Sequence, residues 1–237
     1  MKLTAIKRIA ACLSAAALLT TFSATMASAA EVKGDYAKVS ASDVQDYLKS
    51  RSPKELKLIR EKEKQSSKAS ASVVTKGAAT KISIPGVFWM YQQETDTYCV
   101  PACIQSAVRY LSGTILSQAD INSYINMDFS KIPAYVNTKE NQCYYVLVNA
   151  PNQSSLCNKI YYDIVTEKAP AFLRIANTSS ATWYYLTYGH CVLSNAIYDD
   201  LSIIQLADPL GGRVSGCPYY YLKSASLVSA YTTHMCY

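Results

Sequence analysis

The sequence predicts an α+β domain over residues 81–237, preceded by a removable address and a charged segment. Three observations predict it. Ile104, Ala107, Val108 and Leu111 fall at i, i+3, i+4 and i+7, which is one face of a helix. Two apolar runs rich in β-branched residues, 191–197 and 201–207, flank the polar Tyr198-Asp199-Asp200 and read as a β-hairpin. The composition also changes near residue 81: of 20 Tyr, only Tyr36 and Tyr47 come earlier. No repeat with a period of 20–50 residues is visible, so the body reads as one domain.

The first 29 residues read as a secretory signal peptide. Lys2, Lys7 and Arg8 precede an apolar run over residues 9–19, and Ala27-Ser28-Ala29 supplies the small residues of a cleavage site. The run is shorter than the ~20 residues a bilayer span needs. The expected location is therefore secreted, extracellular or at the cell surface, with no membrane span.

Residues 30–80 read as a charged spacer or a propeptide, ending in a Ser/Ala/Lys linker over 65–80. Ser52-Pro53-Lys54-Glu55 carries the marks of a helix start, with Ser at the N-cap, Pro at the first helical position and Glu at the third. The net charge of +6 divides unevenly. Residues 81–237 hold 9 Lys/Arg against 10 Asp/Glu, so the basic excess lies in the two N-terminal segments. A nucleic-acid-binding domain carries its charge on the folded part, and none is expected here. A basic spacer suits contact with an anionic cell wall.

The first helix of the body is expected over 100–112. Pro101 fits only a first turn, and Gly113 suits the C-terminal cap. Cys99 then stands at the N-terminus, where backbone N–H groups and the helix dipole favour a thiolate. Cys103 lies one turn further in, outside most of that field. Position alone fits a disulfide partner for Cys99 equally well. Gln93, six residues earlier, is placed to supply a carboxamide N–H to an oxyanion beside the Cys99 amide.

The hairpin brings a second pair together. Facing residues of an antiparallel pair have indices of constant sum, and a turn centred on Asp199-Asp200 sets it near 399. His190 then lies across from position 209 and Asp208 across from Cys191, both at the open end of the ladder. A carboxylate at that range orients an imidazole and supports its charged form, which suits His190 to act as a general base. His234 has no such partner in the sequence.

Eight Cys become seven once Cys12 leaves with the signal. Export favours disulfides, and an odd count leaves at least one thiol free. The expected bridges are Cys143–Cys157, Cys217–Cys236 and Cys103–Cys191, one choice among 15 connectivities. With two His and no CxxC pair, neither a metal nor a cofactor is expected.

Gln93, Cys99, His190 and Asp208, in that order, resemble the pattern of papain-like cysteine peptidases. The nearer likeness is to stand-alone secreted relatives of the double-glycine-leader (bacteriocin-processing) peptidases. The stretches that carry it are Gln93-Glu94-Thr95-Asp96-Thr97-Tyr98-Cys99-Val100-Pro101-Ala102, Tyr188-Gly189-His190 and Ala207-Asp208-Pro209. Lys168-Ala169-Pro170 is similar to the family's Lys-x-Pro strand entry. Val100 stands where that family carries Gly. The resemblance implies a papain-like fold, with the nucleophile at the N-terminus of a helix packed on an antiparallel sheet. It also implies peptide-bond hydrolysis, with Cys99 as nucleophile, His190 as base, Asp208 as its orienting group and Gln93 as oxyanion residue. The substrate would be a peptide or protein. Two other readings accompany it: cell-wall peptide hydrolysis or acyl transfer on the same residues, and a non-catalytic binding module. The latter would use Tyr144-Tyr145, Tyr161-Tyr162, Tyr184-Tyr185 and Tyr219-Tyr220-Tyr221, although such pairs commonly place one ring inward and one outward.

Overall fold

The computed structural model describes residues 30–69 and 77–237. The signal peptide expected over 1–29 and the centre of the expected linker, 70–76, lie outside them. The chain is a mixed α+β structure built on a largely antiparallel sheet. Among the described residues no helix is long and apolar enough to cross a membrane.

The sheet is organised by its longest strand. Its strands are β1 (Ala30–Asp35), β2 (Lys81–Ser83), β3 (Leu147–Asn149), β4 (Ala171–Ile175), β5 (Tyr185–Tyr198), β6 (Ile203–Ala207), β7 (Tyr220–Ser224) and β8 (Thr232–Cys236). The main path runs β3-β8-β4-β5-β6-β7. At 14 residues, β5 is far longer than its neighbours and pairs four of them: β4, β6 and β2 antiparallel, and β1 parallel along residues 185–189. Residues 189–197 of β5 are all buried, which fits its central place.

The expected hairpin is β5–β6, closed by a turn in which the Leu201 N–H donates to Tyr198 O. Its register steps by one residue between Ser194 and Ala196. Near the turn Ile197 faces Ile204, whereas beyond the step Leu193 faces Ala207. The index sum is therefore 401 and then 400, where a sum near 399 was expected. Continuing the outer register puts Asp208 across from Val192, on the face that His190 also shares. The expected partner, Cys191, lies on the opposite face. A one-residue bulge thus decides whether His190 and Asp208 meet at all.

The helix expected over 100–112 is α3 (Cys99–Ser112), with Ile104, Ala107, Val108 and Leu111 buried; α1 and α2 precede it and are described below. Gly113 caps it at φ 73, and its N–H donates to Arg109 O. The helix packs on β5, with the Cys103 thiol against Cys191 O at 3.3 Å. Val100 is fully buried in the apolar core rather than exposed beside Cys99. Four shorter α-helices follow α3: α4 (Gln118–Ile125), α5 (Ile132–Val136), α6 (Gln153–Tyr162) and α7 (Ala225–Tyr231).

Residues 30–69 are not a solvated spacer; they pack on the body. In α1 (Asp43–Lys49), Val44 and Tyr47 are buried. In α2 (Pro53–Ser66), the capping box forms as expected: the Ser52 side chain accepts from the Glu55 N–H, and Glu55 accepts from the Ser52 N–H. The helix runs to Ser66, and Lys62 and Ser66 are buried against the body. Lys62 Nζ lies 3.2 Å from Asp163 Oδ1, both nearly fully buried, against the rings of Tyr145, Tyr162 and Tyr237. Lys159 likewise reaches Glu63 at 2.8 Å. In the sequence this stretch is a run of charged residues, and its inward lysine gives no local sign of that role.

None of the three expected disulfides is formed; all seven Cys of the described residues are free thiols. Cys143 lies by Glu140, Cys157 against Leu201 O and Cys217 beside Asp208. Only the expected Cys103–Cys191 pair is brought together, and there the thiol donates to a backbone carbonyl. The distinction of Cys99 therefore rests on where it stands rather than on an odd count.

Candidate active site

The N-terminus of α3 and the open end of the β5–β6 hairpin converge on one buried cluster. Cys99, His190 and Asp208 are each 0% exposed and Gln93 1%. Four residues separated by up to 115 positions are thus assembled by two elements that the sequence itself specifies.

Asp208 is the anchor. His190 Nε2 lies 2.9 Å from its Oδ1, which also accepts the Leu210 N–H at 2.9 Å. Oδ2 accepts the hydroxyls of Tyr185 at 2.5 Å and Tyr221 at 2.7 Å. Burial works against the carboxylate's charge. The His190 charge and the hydrogen bonds from His190, Tyr185 and Tyr221 outweigh it and hold Asp208 below the usual carboxylate range.

His190 shows the complementary shift. Burial opposes its charge, but the Asp208 carboxylate overrides burial, and Cys99 adds to the effect; its pKa is pushed up to about 10. At neutral pH the ring is an imidazolium whose Nε2–H donates to Asp208. Nδ1 is buried without a hydrogen-bond partner. Tyr185 packs edge-on against the ring at 5.3 Å between centroids and fixes its plane.

The thiol of Cys99 neighbours that imidazolium, yet its hydrogen bond goes elsewhere, to the Tyr36 carbonyl at 3.1 Å. Gln93 is held by its backbone N–H on Pro209 O at 3.0 Å, and its Nε2 donates to Thr95 O at 2.8 Å. An amide nitrogen has a second hydrogen to give, while Oε1 is buried without a partner. Gln93 borders a cavity of about 350 Å³, whose walls include Val32, Tyr36, Leu210 and Arg213. Arg213 reaches Asp96 at 2.5 Å and so ties the loop before α3 to the loop after β6.

All four expected site residues are thus close to one another, with Gln93 and Cys99 approaching from the helix side and His190 and Asp208 from the sheet. The sequence did not identify the two tyrosines that complete the Asp208 cage. Their only trace was the Tyr-Tyr pairs, which alternate: Tyr145, Tyr162, Tyr185 and Tyr221 are buried, while Tyr144, Tyr161, Tyr184 and Tyr220 are not. Two of the inward rings serve Asp208. Arg174 was also missed; it sits on β4 one register step from the His190 pair and is 6% exposed. Compared with known proteins, the chain matches no family model and no curated protein sequence.

Proposed function

We propose that this chain is a cysteine peptidase of papain-like fold that is exported and hydrolyses peptide bonds. The observation that carries the reading is the position of His190: Nε2 is fixed on Asp208 and the other side of the ring is left to Cys99. The arrangement puts a sulfur nucleophile at a helix N-terminus next to an oriented imidazole.

The residues then have defined tasks. The Cys99 sulfur attacks the peptide carbonyl carbon, and the carbonyl oxygen becomes an oxyanion. The Cys99 backbone N–H and the spare hydrogen of Gln93 Nε2 are the donors available to it. His190 Nδ1 gives its proton to the leaving amine, and the C–N bond breaks to leave a thioester. The now neutral His190 takes a proton from water, which adds to the thioester; the carboxylic acid departs and the thiolate returns. Asp208 stays ionised and keeps the ring in one orientation throughout.

The test is cleavage of unstructured peptides, read by mass spectrometry of the new termini. The wild-type chain cuts, whereas Cys99→Ala and His190→Ala do not. Cleavage that survives Cys99→Ala refutes the assignment.

A further inference from the structure

We propose that residues 30–37 are an internal occupant of the peptide-binding cleft, latched by Asp35 on Arg174, and that they hold Cys99 in a closed arrangement that slows its reaction. The proposal rests on the reading of Cys99 as nucleophile and adds its regulation.

The segment lies where a peptide ligand would lie. As β1 it pairs in parallel with the N-terminal end of β5, Ala30 with Tyr185 through Asp35 with Gly189. This is strand addition, the way extended peptides dock on sheet edges. The Tyr36 N–H then donates to Gly189 O at 3.0 Å, and the Tyr36 carbonyl reaches Cys99 Sγ. His190 follows Gly189 directly, so the segment runs from the strand edge onto the catalytic residues.

The contact with Cys99 is of a blocking kind. The Tyr36 oxygen accepts the thiol proton. It is not paired with Gln93 Nε2, whose hydrogen bond goes to Thr95 O. A carbonyl positioned for attack would direct its oxygen to the oxyanion donors and its carbon to the sulfur. His190 Nδ1, an N–H donor in the imidazolium, is buried beside this thiol without a hydrogen-bond partner. Two polar atoms, His190 Nδ1 and Gln93 Oε1, thus stand unsatisfied beside the segment, in a site whose nucleophile has no exposed surface.

The latch is specific. Arg174 Nη2 contacts Asp35 Oδ2 at 2.5 Å, and its Nε donates to Ala37 O. Arg174 is almost wholly buried, so it requires a counter-charge, and Asp35 supplies it. Gly189 is what allows the approach: a Cβ there would fall 1.9 Å from Asp35 Oδ1 and 2.8 Å from Arg174 Nη2. The same groups define the ligand chemistry of the open cleft, namely an extended peptide carrying a carboxylate side chain for Arg174.

The test reads the rate at which iodoacetamide alkylates Cys99, located by peptide mapping. It needs no substrate. Asp35→Ala removes the latch, and Tyr36→Pro removes the N–H to Gly189 while leaving Arg174 its partner. Each variant, confirmed folded by circular dichroism, is expected to alkylate Cys99 at least tenfold faster than wild type. A synthetic peptide of residues 30–38, added in excess, is expected to restore the slow rate. Equal rates in wild type and both variants overturn the proposal. Faster alkylation without cleavage of any peptide upholds the latch and refutes the peptidase reading. Full peptide cleavage by wild type with no gain in either variant upholds the peptidase and refutes the latch.

Discussion

His190 Nε2 and Asp208 Oδ1 are 2.9 Å apart because a one-residue bulge between Ser194 and Ala196 turns both side chains to the same face of the sheet. The pair is buried and carries opposite charges, so each member sustains the ionisation of the other.

That coupling gives the first prediction. In Asp208→Asn the carboxylate is gone and burial is opposed only by Cys99, so the His190 pKa falls from about 10. Imidazole proton resonances followed against pH measure this directly. Peptide hydrolysis falls by roughly 10²–10⁴-fold with it, the range general acid–base catalysis contributes.

The same shift has a consequence for stability. A histidine whose folded pKa is raised from 6.5 to about 10 contributes stability that is full below pH 6.5 and is lost as pH rises through 10. Comparison with His190→Gln isolates this from other titrating groups. The stability gap between wild type and variant, from urea unfolding at pH 6, 8 and 10, narrows by a few kcal/mol across that window, at ~1.4 kcal/mol per pKa unit.

Tyr185 and Tyr221 both donate to Asp208 Oδ2. Hydrogen bonds to a charged group are worth about 1.5–3 kcal/mol, so Tyr185→Phe and Tyr221→Phe each destabilise by that order. The two share one acceptor oxygen, and the double variant departs from additivity. Urea unfolding of the two singles and the double checks both statements.

Lys62 and Asp163 tie α2 to the body through a buried ion pair. Burial pushes Asp163 up to about 7 even against the pull of Lys62. Lys62→Met leaves that carboxylate without its partner and costs about 3–5 kcal/mol, whereas the double variant Lys62→Met/Asp163→Leu recovers much of the loss. The readout is again the unfolding free energy. A Lys62→Met variant as stable as wild type would show that α2 is a dispensable appendage.

Local signals made much of the site legible in the sequence. Apolar spacing, Pro101 and Gly113 bounded α3 and put Cys99 at its start. Apolar runs around a polar turn gave the hairpin, and its index sum brought His190 and Asp208 to the same end. The sum is off by two at the turn, where the ladder closes at 401; a bulge that leaves no mark in composition brings it to 400, and that step decides the face. Tyr185, Tyr221 and Arg174 were illegible for a different reason. Their partners lie 13 to 139 residues away, and no local period reports such contacts. The buried side of α2 was hidden because a lysine that faces inward looks, in sequence, like one that faces water. The disulfides were inferred from an expected compartment, and the structure has seven thiols in their place.

The central claim is that Cys99 is a nucleophile working with His190 and Asp208. Its most direct test is a library of unstructured peptides incubated with wild type, with Asp35→Ala and with Asp35→Ala/Cys99→Ala, and analysed by mass spectrometry for new termini. The account predicts cuts by wild type that rise in Asp35→Ala and vanish in the double variant. Cuts that persist without Cys99, or no cut by any of the three folded chains, would contradict it.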